Sequence, residues 1–246
     1  KFCRLVIQIY KKLQANFNMK IAINIEQFLK DKGGAERYAV GLANTLAEKG
    51  HDVHILACSW DESCEKYFHC HRIPHSWFRT WRDIRFVRAT QREFLKEKFD
   101  LCLSFSRSLN TDIYQPHGGV HRAYLKRELK SIPNPFVRFA KELFKAISLR
   151  HFLIKRIERA IFKKQNLIIV AISKMVKRDI LSFYPFPEES IKVIYNGIDL
   201  KRFNLDQKKQ YRKEIRCRYS VEEKDFLIMF VANNFRLKGL RNLIHA

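Results

Sequence analysis

The stretch "DKGGAERYAVGLANTLAEKGHDVHIL" (residues 31–56) decides the fold of this chain, because it joins two strand-like segments through one helix. It follows the apolar run "KIAINI" (residues 20–25), and it ends in the second strand-like run, "HDVHIL". Between them, seven side chains recur at helical spacing up to a capping Gly50: Ala35, Tyr38, Ala39, Leu42, Ala43, Leu46 and Ala47. The order predicts a βαβ unit with Gly33 and Gly34 at the helix N-terminus.

Gly33 and Gly34 occupy a position that suits an anion. The first N–H groups of a helix lack partners within it and carry partial positive charge, and glycine lets a phosphate approach the backbone. A Gly-Gly pair before a helix also occurs as simple loop geometry, so this loop alone leaves both interpretations open.

The charge balance predicts an anionic partner. The 246 residues include 48 Lys and Arg against 25 Asp and Glu, a formal net charge of +23. Nucleic acid, an anionic membrane surface or a phosphorylated substrate would each be attracted. The longest apolar runs fall short of the roughly 20 residues that cross a bilayer, and no signal-peptide pattern opens the chain, so we expect a cytoplasmic protein.

The six cysteines are spread thinly and are expected to be free thiols in a reducing compartment. One segment, "CSWDESCEKYFHCH", offers Cys58, Cys64, Cys70 and His71 as zinc ligands. It lacks the short C-x-x-C spacing of most structural zinc sites, which disfavours a metal there.

Strand-like and helical runs alternate along the chain, which predicts an α/β fold with a Rossmann-like, doubly wound parallel sheet. Further strands are expected at residues 100–106, 111–116, 166–173 and 190–197, and a helix capped by Ser173 at residues 173–184.

Four segments are expected along the chain. Residues 1–18 precede a natural-looking start at Met19 and are predicted to be an extension outside the core; residues 19–200 form the first domain; residues 201–224 are a polar interdomain connection. Residues 225–246 begin a second Rossmann-like domain with a strand at 226–232. The helical pattern that starts at Gly239 stops after about two turns, so this domain is expected to be truncated.

Four segments in this order and spacing resemble glycosyltransferase family 4: "GGAERYAVGLANTLAEKGHDV", "VAISKMVKRDI", "EESIKVIYNGIDLKRFN" and "FVANNFRLKGLRNLI". The resemblance covers about residues 19–246. The segment "DIYQPHGGVHRAYL" is further similar to the bacterial envelope-assembly branch, which includes lipopolysaccharide-core sugar transferases.

The resemblance implies a GT-B fold, in which an N-terminal domain binds the acceptor and a C-terminal domain binds the nucleotide-sugar. It implies transfer of a hexose or heptose, with retention of configuration and without a metal, to a membrane-associated glycan or lipid acceptor in lipopolysaccharide or envelope polysaccharide assembly. The family's paired glutamates are not reached by these residues. We therefore expect this chain to be inactive by itself.

The resemblance also assigns phosphate-binding residues. The basic pair of the "RLKG" motif carries over onto Arg236 and Lys238, whose charges would stabilise the leaving nucleoside diphosphate. Gly33 and Gly34 match the family's glycine pair, which approaches the same diphosphate from the opposite domain. Glu36, in the first helical turn, is assigned a structural role beside the helix dipole.

His117 and His121 follow the predicted strand 111–116, at the carboxyl end where open α/β sheets bind ligands. The resemblance makes them the candidate catalytic residues, His117 before His121, in contact with the transferred sugar or acceptor. Either histidine can instead pack or cap a loop. Asn196, Gly197 and Asp199 match a hinge-side turn of the family and are assigned to architecture.

The segment 122–164 interleaves Lys and Arg with Phe, Leu and Ile at helical spacing and has only three acids, Glu128, Glu142 and Glu158. It predicts amphipathic helices at the inner face of the cytoplasmic membrane, although ordinary helices with a solvated basic face fit as well. A nucleic-acid-binding module is disfavoured, because no helix-turn-helix, zinc-finger, RNP or KH signature is present. A non-catalytic relative that binds lipid or a partner stays open.

Overall fold

A computed structural model describes residues 18–74, 76–197, 208–232 and 234–246. The chain divides into two compact units, the first ending at Tyr195 and the second beginning at Asn196, and each is described by itself. Asp199 and nearly all of the predicted extension 1–18 lie outside the described residues.

The first unit is built on a seven-stranded sheet in which every pairing is parallel. Its strands, with two short ones that pair separately, are β1 Lys20–Asn24, β2 Gln27–Phe28, β3 Asp52–Ala57, β4 Ser59–Trp60, β5 His69–Arg72, β6 Leu101–Ser104, β7 Ile113–Tyr114, β8 Ile168–Ala171 and β9 Ile191–Val193. The sheet order is β5-β3-β1-β6-β7-β8-β9, and β2 pairs with β4. The predicted α/β class and its six strands in this unit are confirmed.

Six α-helices connect the strands of this unit: α1 Gly34–Glu48, α2 Arg79–Lys96, α3 His121–Lys130, α4 Pro135–Ile147, α5 Leu149–Phe162 and α6 Lys174–Phe183. The predicted cap of α6 is confirmed, because the Ser173 hydroxyl accepts a 3.2 Å hydrogen bond from the N–H of Val176. Short 3₁₀ helices occupy Glu62–Lys66 and Glu188–Ser190.

The core lies on both faces of the sheet, as expected for buried parallel strands. On one face, Ile23 of β1 and Ile55 of β3 pack against Ala39 of α1. On the other, Ala22 and its neighbours pack against Phe86 of α2. Since β1, β6 and β7 run in the same direction, the loops that follow them meet at one edge of the sheet, and this edge holds the candidate site.

The second unit contains α7 Lys208–Arg218, α8 Phe235–Lys238 and α9 Leu240–Ile244. The helix predicted after Gly239 is confirmed, and Gly239 itself adopts a φ of +83° that favours glycine. The strand predicted at 226–232 is wrong. A strand requires a hydrogen-bonded neighbour, and no strand lies within the described residues of this unit to pair with it.

Candidate functional site

A cavity of about 290 Å³ opens where β1, β6 and β7 end. Glu26 follows β1, Phe105–Arg107 follow β6, and Pro116, Gly118 and Gly119 follow β7, so the cavity lies at the carboxyl edge of the sheet. Its polar lining side chains are Glu26, Arg82, Asp83, Ser106, Arg107, Tyr114, His121 and Tyr124. The sequence predicts that ligand-contacting residues gather at this edge of the sheet.

Glu158 of α5 is the buried carboxylate behind this cavity, with a relative exposure of 1%. Its two oxygens accept hydrogen bonds of 3.0 Å from the backbone N–H of His121 at the start of α3. They also accept from the Arg107 guanidinium, at 3.1 and 3.2 Å, and from the hydroxyl of Tyr184, at 2.9 Å. One carboxylate therefore fixes a helix N-terminus and an arginine of the cavity wall.

Alternating charges continue around the cavity. The Arg107 guanidinium reaches Asp83 of α2 at 3.3 Å, and the same carboxylate receives Arg150 at 3.5 Å. Arg82, beside Asp83, lies 2.9 Å from the carboxylate of Glu26. The wall thus offers both fixed donors and fixed acceptors, which is the lining that a molecule rich in hydroxyl groups requires.

His121, the second predicted catalytic residue, lines the cavity from the first position of α3. Its Nε2 lies 2.9 Å from Nδ1 of His151, and its ring stacks on Tyr124. Burial, together with the neighbouring Arg107, lowers the pKa of His121 to about 3. The ring is therefore neutral at physiological pH and contributes hydrogen bonds to the site rather than charge.

His117, the first choice, does not line this cavity. Its ring packs against Tyr38 of α1 and Phe105, with centroids 5.2 and 5.4 Å away. Burial lowers the pKa of His117, while Glu36 opposes that shift. Its Nε2 is buried without a hydrogen-bond partner in the described part of the chain, an arrangement that leaves a polar atom free for a ligand.

Gly33 and Gly34 lie at the N-terminus of α1, as predicted. Neither has a positive φ, so the backbone itself does not demand glycine at these positions. A Cβ on Gly33 would lie 2.6 Å from a carboxylate oxygen of Glu36, whereas a Cβ on Gly34 would meet nothing within 4 Å. The Glu36 side chain therefore folds back over the helix start, and open space lies beside Gly34.

Arg236 and Lys238 belong to α8 of the second unit and are both exposed. The N–H of Lys238 donates to the carbonyl of Asn234, which starts the short helix, and Gly239 follows at positive φ. Their predicted meeting with Gly33 and Gly34 across a diphosphate stays a prediction. Asn196 and Gly197, assigned to a hinge turn, lie at the start of the second unit.

The disfavoured cysteine cluster does not gather around one point. Cys64 and Cys70 pack in the core on the α1 face of the sheet, whereas Cys58 packs in the core on the α2 face. Burial raises the pKa of Cys58 and of Cys70 to about 11. His71 belongs instead to a group of histidines described below.

Glu158, Arg107 and Asp83 are the site residues that sequence reasoning missed. A signal for Glu158 exists, because it falls within the buried stripe of α5 beside Ile154, Ile161 and Phe162, in a segment with only two other acids. A carboxylate on an apolar helix face must find a buried partner. Nothing in the sequence indicates that the partner is 51 residues away in Arg107.

Comparison with known proteins gives a consistent result. The family model of Glycosyltransferase Family 4 matches residues 32–202. An uncharacterized glycosyltransferase, MJ1607 of Methanocaldococcus jannaschii, is 24% identical over 225 residues, which cover 87% of this chain and 55% of that protein. The lipopolysaccharide glucosyltransferase WaaG of Escherichia coli is 22% identical over 217 residues, covering 87% of this chain and 54% of that protein.

A crystal structure of WaaG, described as a glycosyltransferase involved in lipopolysaccharide biosynthesis, superposes with a TM-score of 0.73 at 20% identity. The match covers 92% of this chain and 58% of that one, and it supports the GT-B fold. The chain spans about half the length of these relatives.

Replacing Glu158 with alanine should destabilise the first unit strongly. The change leaves Arg107, Tyr184 and the start of α3 without their common acceptor, and breaking a buried charge pair costs about 3–5 kcal/mol. Urea unfolding followed by fluorescence measures this cost. The control is Glu142→Ala on the exposed surface of α4, expected within about 0.5 kcal/mol of the parent chain. An equal, small effect of both substitutions would contradict the role assigned to Glu158.

The depressed pKa of His121 predicts loss of stability in acid. The folded chain keeps the ring neutral down to about pH 3, whereas the unfolded chain takes up a proton below the ordinary value of 6.5. The stabilisation is complete above 6.5 and is lost as the pH falls through this window. The urea midpoint should therefore fall between about pH 7.5 and about pH 5. The urea midpoint of His121→Gln should fall less over this pH range, and that of the exposed control His245→Gln should fall as much as that of the parent chain. An equal fall in His121→Gln and in the parent would refute the low pKa of His121.

Proposed function

Because the chain belongs to glycosyltransferase family 4, we propose that it forms the acceptor side of a retaining glycosyltransferase that moves a sugar from a nucleotide-sugar to a membrane-associated glycan or lipid. The observation that carries the proposal is the polar cavity at the carboxyl edge of the sheet, walled by Arg107, Asp83 and His121. Its size and its alternating donors and acceptors suit one sugar unit of an acceptor.

The reaction breaks the bond between the sugar C1 and the diphosphate and forms a bond between C1 and an acceptor oxygen. The nucleoside diphosphate leaves with the electron pair, and the acceptor hydroxyl gives its proton to a phosphate oxygen of the leaving group. In this proposal, the side chains of the cavity hold the acceptor hydroxyl in place, which removes much of the entropic cost of a reaction between two molecules. His121, being neutral, orients the acceptor without attracting the diphosphate away from its own site.

Gly33 and Gly34, and Arg236 and Lys238 of the second unit, are each proposed to contact the donor phosphates. The open space beside Gly34 and the exposure of Arg236 and Lys238 support these two assignments. Two fixed cations can offset the charge of the leaving group without a metal, so added Mg²⁺ should not be required.

The acceptor is proposed to be attached to a membrane, at the inner face of the cytoplasmic membrane. Among the described residues, no helix is sufficiently long and apolar to span a bilayer. Helix α4 instead has an apolar face that is exposed: Phe136 is 83%, Phe144 73% and Ile147 74% accessible, and no α4 residue is buried. Such a face in contact with water is costly unless another surface covers it.

The orientation of α4 favours lipid as that surface. Lys145 points inward and pairs with Glu128 of α3, while Phe136, Phe139 and Ile147 are exposed. Arg138 and Lys141 are exposed on the same helix, as the headgroups of anionic lipids require. The lipopolysaccharide glucosyltransferase among the relatives supports an envelope acceptor and, of the two proposed donor classes, hexose and heptose, it supports the hexose.

Replacing Lys238 with alanine should remove turnover while leaving the fold intact, because Lys238 is exposed. The test uses the chain joined to a complete donor domain, since the chain spans about half the length of the relatives it matches. Turnover with a panel of nucleotide-sugars and an envelope glycolipid should fall about 100- to 1,000-fold, and the anomeric configuration of the product, read by NMR, should match that of the donor.

Two further variants sharpen this experiment. Gly34→Ala should fold as well as the parent, since a Cβ there meets nothing, yet should raise KM for the donor. Lys224→Ala, an exposed lysine paired with Glu222, is the control and should keep full turnover. Unchanged turnover in Lys238→Ala would remove it from the site. If the chain joined to the donor domain binds lipid without any turnover, the result would favour the alternative that this protein is a non-catalytic relative.

Replacing Phe136, Phe139 and Phe144 with serine should release the protein from anionic vesicles. Each exposed Phe contributes about 1.5–3 kcal/mol when it leaves water, so the partition coefficient should fall at least tenfold. Arg138→Gln with Lys141→Gln should weaken binding in a salt-dependent way. Co-sedimentation with phosphatidylcholine and phosphatidylglycerol vesicles measures both. Tyr67→Ser, 73% exposed elsewhere on the unit, is the control. Undiminished binding, or stronger binding to duplex DNA, would overturn the membrane proposal.

A further inference from the structure

Two histidines and two acidic side chains meet at the opposite edge of the sheet from the cavity, near the amino ends of β3 and β5. His54 of β3 and His71 of β5 are both at the third position of their strands, and they point to the same face. Glu97, immediately after α2, approaches them from the helix side, and Asp52 lies at the start of β3. This group plays no part in the proposed transfer reaction.

The ligand atoms converge closely. Nδ1 of His54 lies 2.8 Å from Nε2 of His71. Oε2 of Glu97 lies 3.7 Å from the first nitrogen and 3.5 Å from the second. A tetrahedral ion with bonds of about 2.05 Å separates its ligand atoms by about 3.3 Å, which is close to the mean of these three distances. Opening the two rings by about half an ångström would accommodate the ion.

We propose that His54, His71 and Glu97 form a binding site for a divalent transition-metal ion of the zinc class. Two imidazole nitrogens and one carboxylate oxygen are ligands that zinc prefers, whereas Mg²⁺ and Ca²⁺ prefer oxygen alone. A water molecule completes the tetrahedron, since the side chains of His71 and Glu97 are 23% and 33% exposed and leave one side open.

The surrounding carboxylates fit this assignment. Oδ2 of Asp52 lies 3.1 Å from Nε2 of His54, the nitrogen that the metal does not use. Oε2 of Glu93 lies 4.0 Å from Nδ1 of His71, again the free nitrogen. The Asp52 carboxylate is within hydrogen-bond distance of His54, an arrangement that fixes the tautomer and strengthens the ligand, whereas Glu93 contributes only its negative charge near His71.

The charge around the site also favours a cation. Lys20 binds Oε1 of Glu97 at 2.5 Å, which directs Oε2 towards the two rings. Lys96 binds Oε1 of Glu93 at 2.7 Å and leaves Oε2 facing His71. With Asp52 added, three carboxylates stand against two lysines in a chain whose overall charge is +23, so acids are concentrated here.

A metal at this site would join three elements: the sheet through β3, the edge strand β5, and the end of α2. Strand β5 pairs on one side only and carries little apolar surface, since none of its four residues is buried. A bound ion would therefore hold this edge strand in register and stabilise the unit by mass action.

The test measures metal binding by the 246-residue chain after chelator treatment and removal of the chelator. Titration calorimetry with Zn²⁺ should give one site per chain, and Zn²⁺ should raise the thermal unfolding midpoint while Mg²⁺ should not. Co²⁺ should give the visible absorption of a tetrahedral site without the near-ultraviolet charge transfer of thiolate ligands. This spectrum distinguishes the proposed ligands from the five described cysteines.

Substitutions assign the ligands. His71→Ala and Glu97→Gln should each weaken Zn²⁺ binding at least tenfold, and both side chains are partly exposed, so the variants should fold. Asp52→Asn should weaken it about 10- to 100-fold through His54. His69→Ala is the matched control: its ring is 70% exposed on the same strand and contacts Asp52, outside the proposed ligand set.

Three results would overturn the proposal. The first is the absence of a one-to-one complex in the calorimeter. The second is a Co²⁺ spectrum dominated by thiolate charge transfer. The third is loss of binding in His69→Ala with full binding in Glu97→Gln, which would place the ion between Asp52, His54 and His69 instead.

Discussion

The buried carboxylate of Glu158 is the constraint on which the site depends. It is almost fully removed from water, and a charge in that position is stable only if each oxygen has strong donors. The start of α3, the guanidinium of Arg107 and the hydroxyl of Tyr184 supply them. Because these donors come from separate segments, the position of one side chain fixes the back wall of the cavity.

The large basic surplus of the chain is distributed unevenly, and this accounts for much of the surface chemistry. Several acids form ion pairs with specific basic side chains: Glu158 with Arg107, Asp83 with Arg107 and Arg150, and Glu128 with Lys145. Other basic side chains, among them Arg138 and Lys141 of α4, are exposed. Together with an outward apolar face on α4, they form a surface suited to an anionic bilayer, which is where a lipid-linked acceptor would be found.

The sheet could be predicted because its buried strands are apolar runs separated by helical patterns, and the four family segments fix their order. Strand β5 could not, since "HCHR" has no apolar pattern and is stabilised by pairing with β3. The segment 226–232 shows the opposite error: its apolar run predicts a strand, but among the described residues of the second unit there is no strand for it to pair with. His121 lines the cavity, but Glu158 lies 37 residues further along the chain and is joined to it only by folding.

The proposed role of the cavity at the carboxyl edge can be tested by a crystal structure of the chain bound to a deacylated acceptor glycan. We expect one sugar unit in the 290 Å³ cavity, hydrogen-bonded to Arg107, Asp83 or His121, with Glu158 still holding the start of α3. A glycan bound elsewhere, with the cavity filled only by water, would show that the cavity does not hold the acceptor.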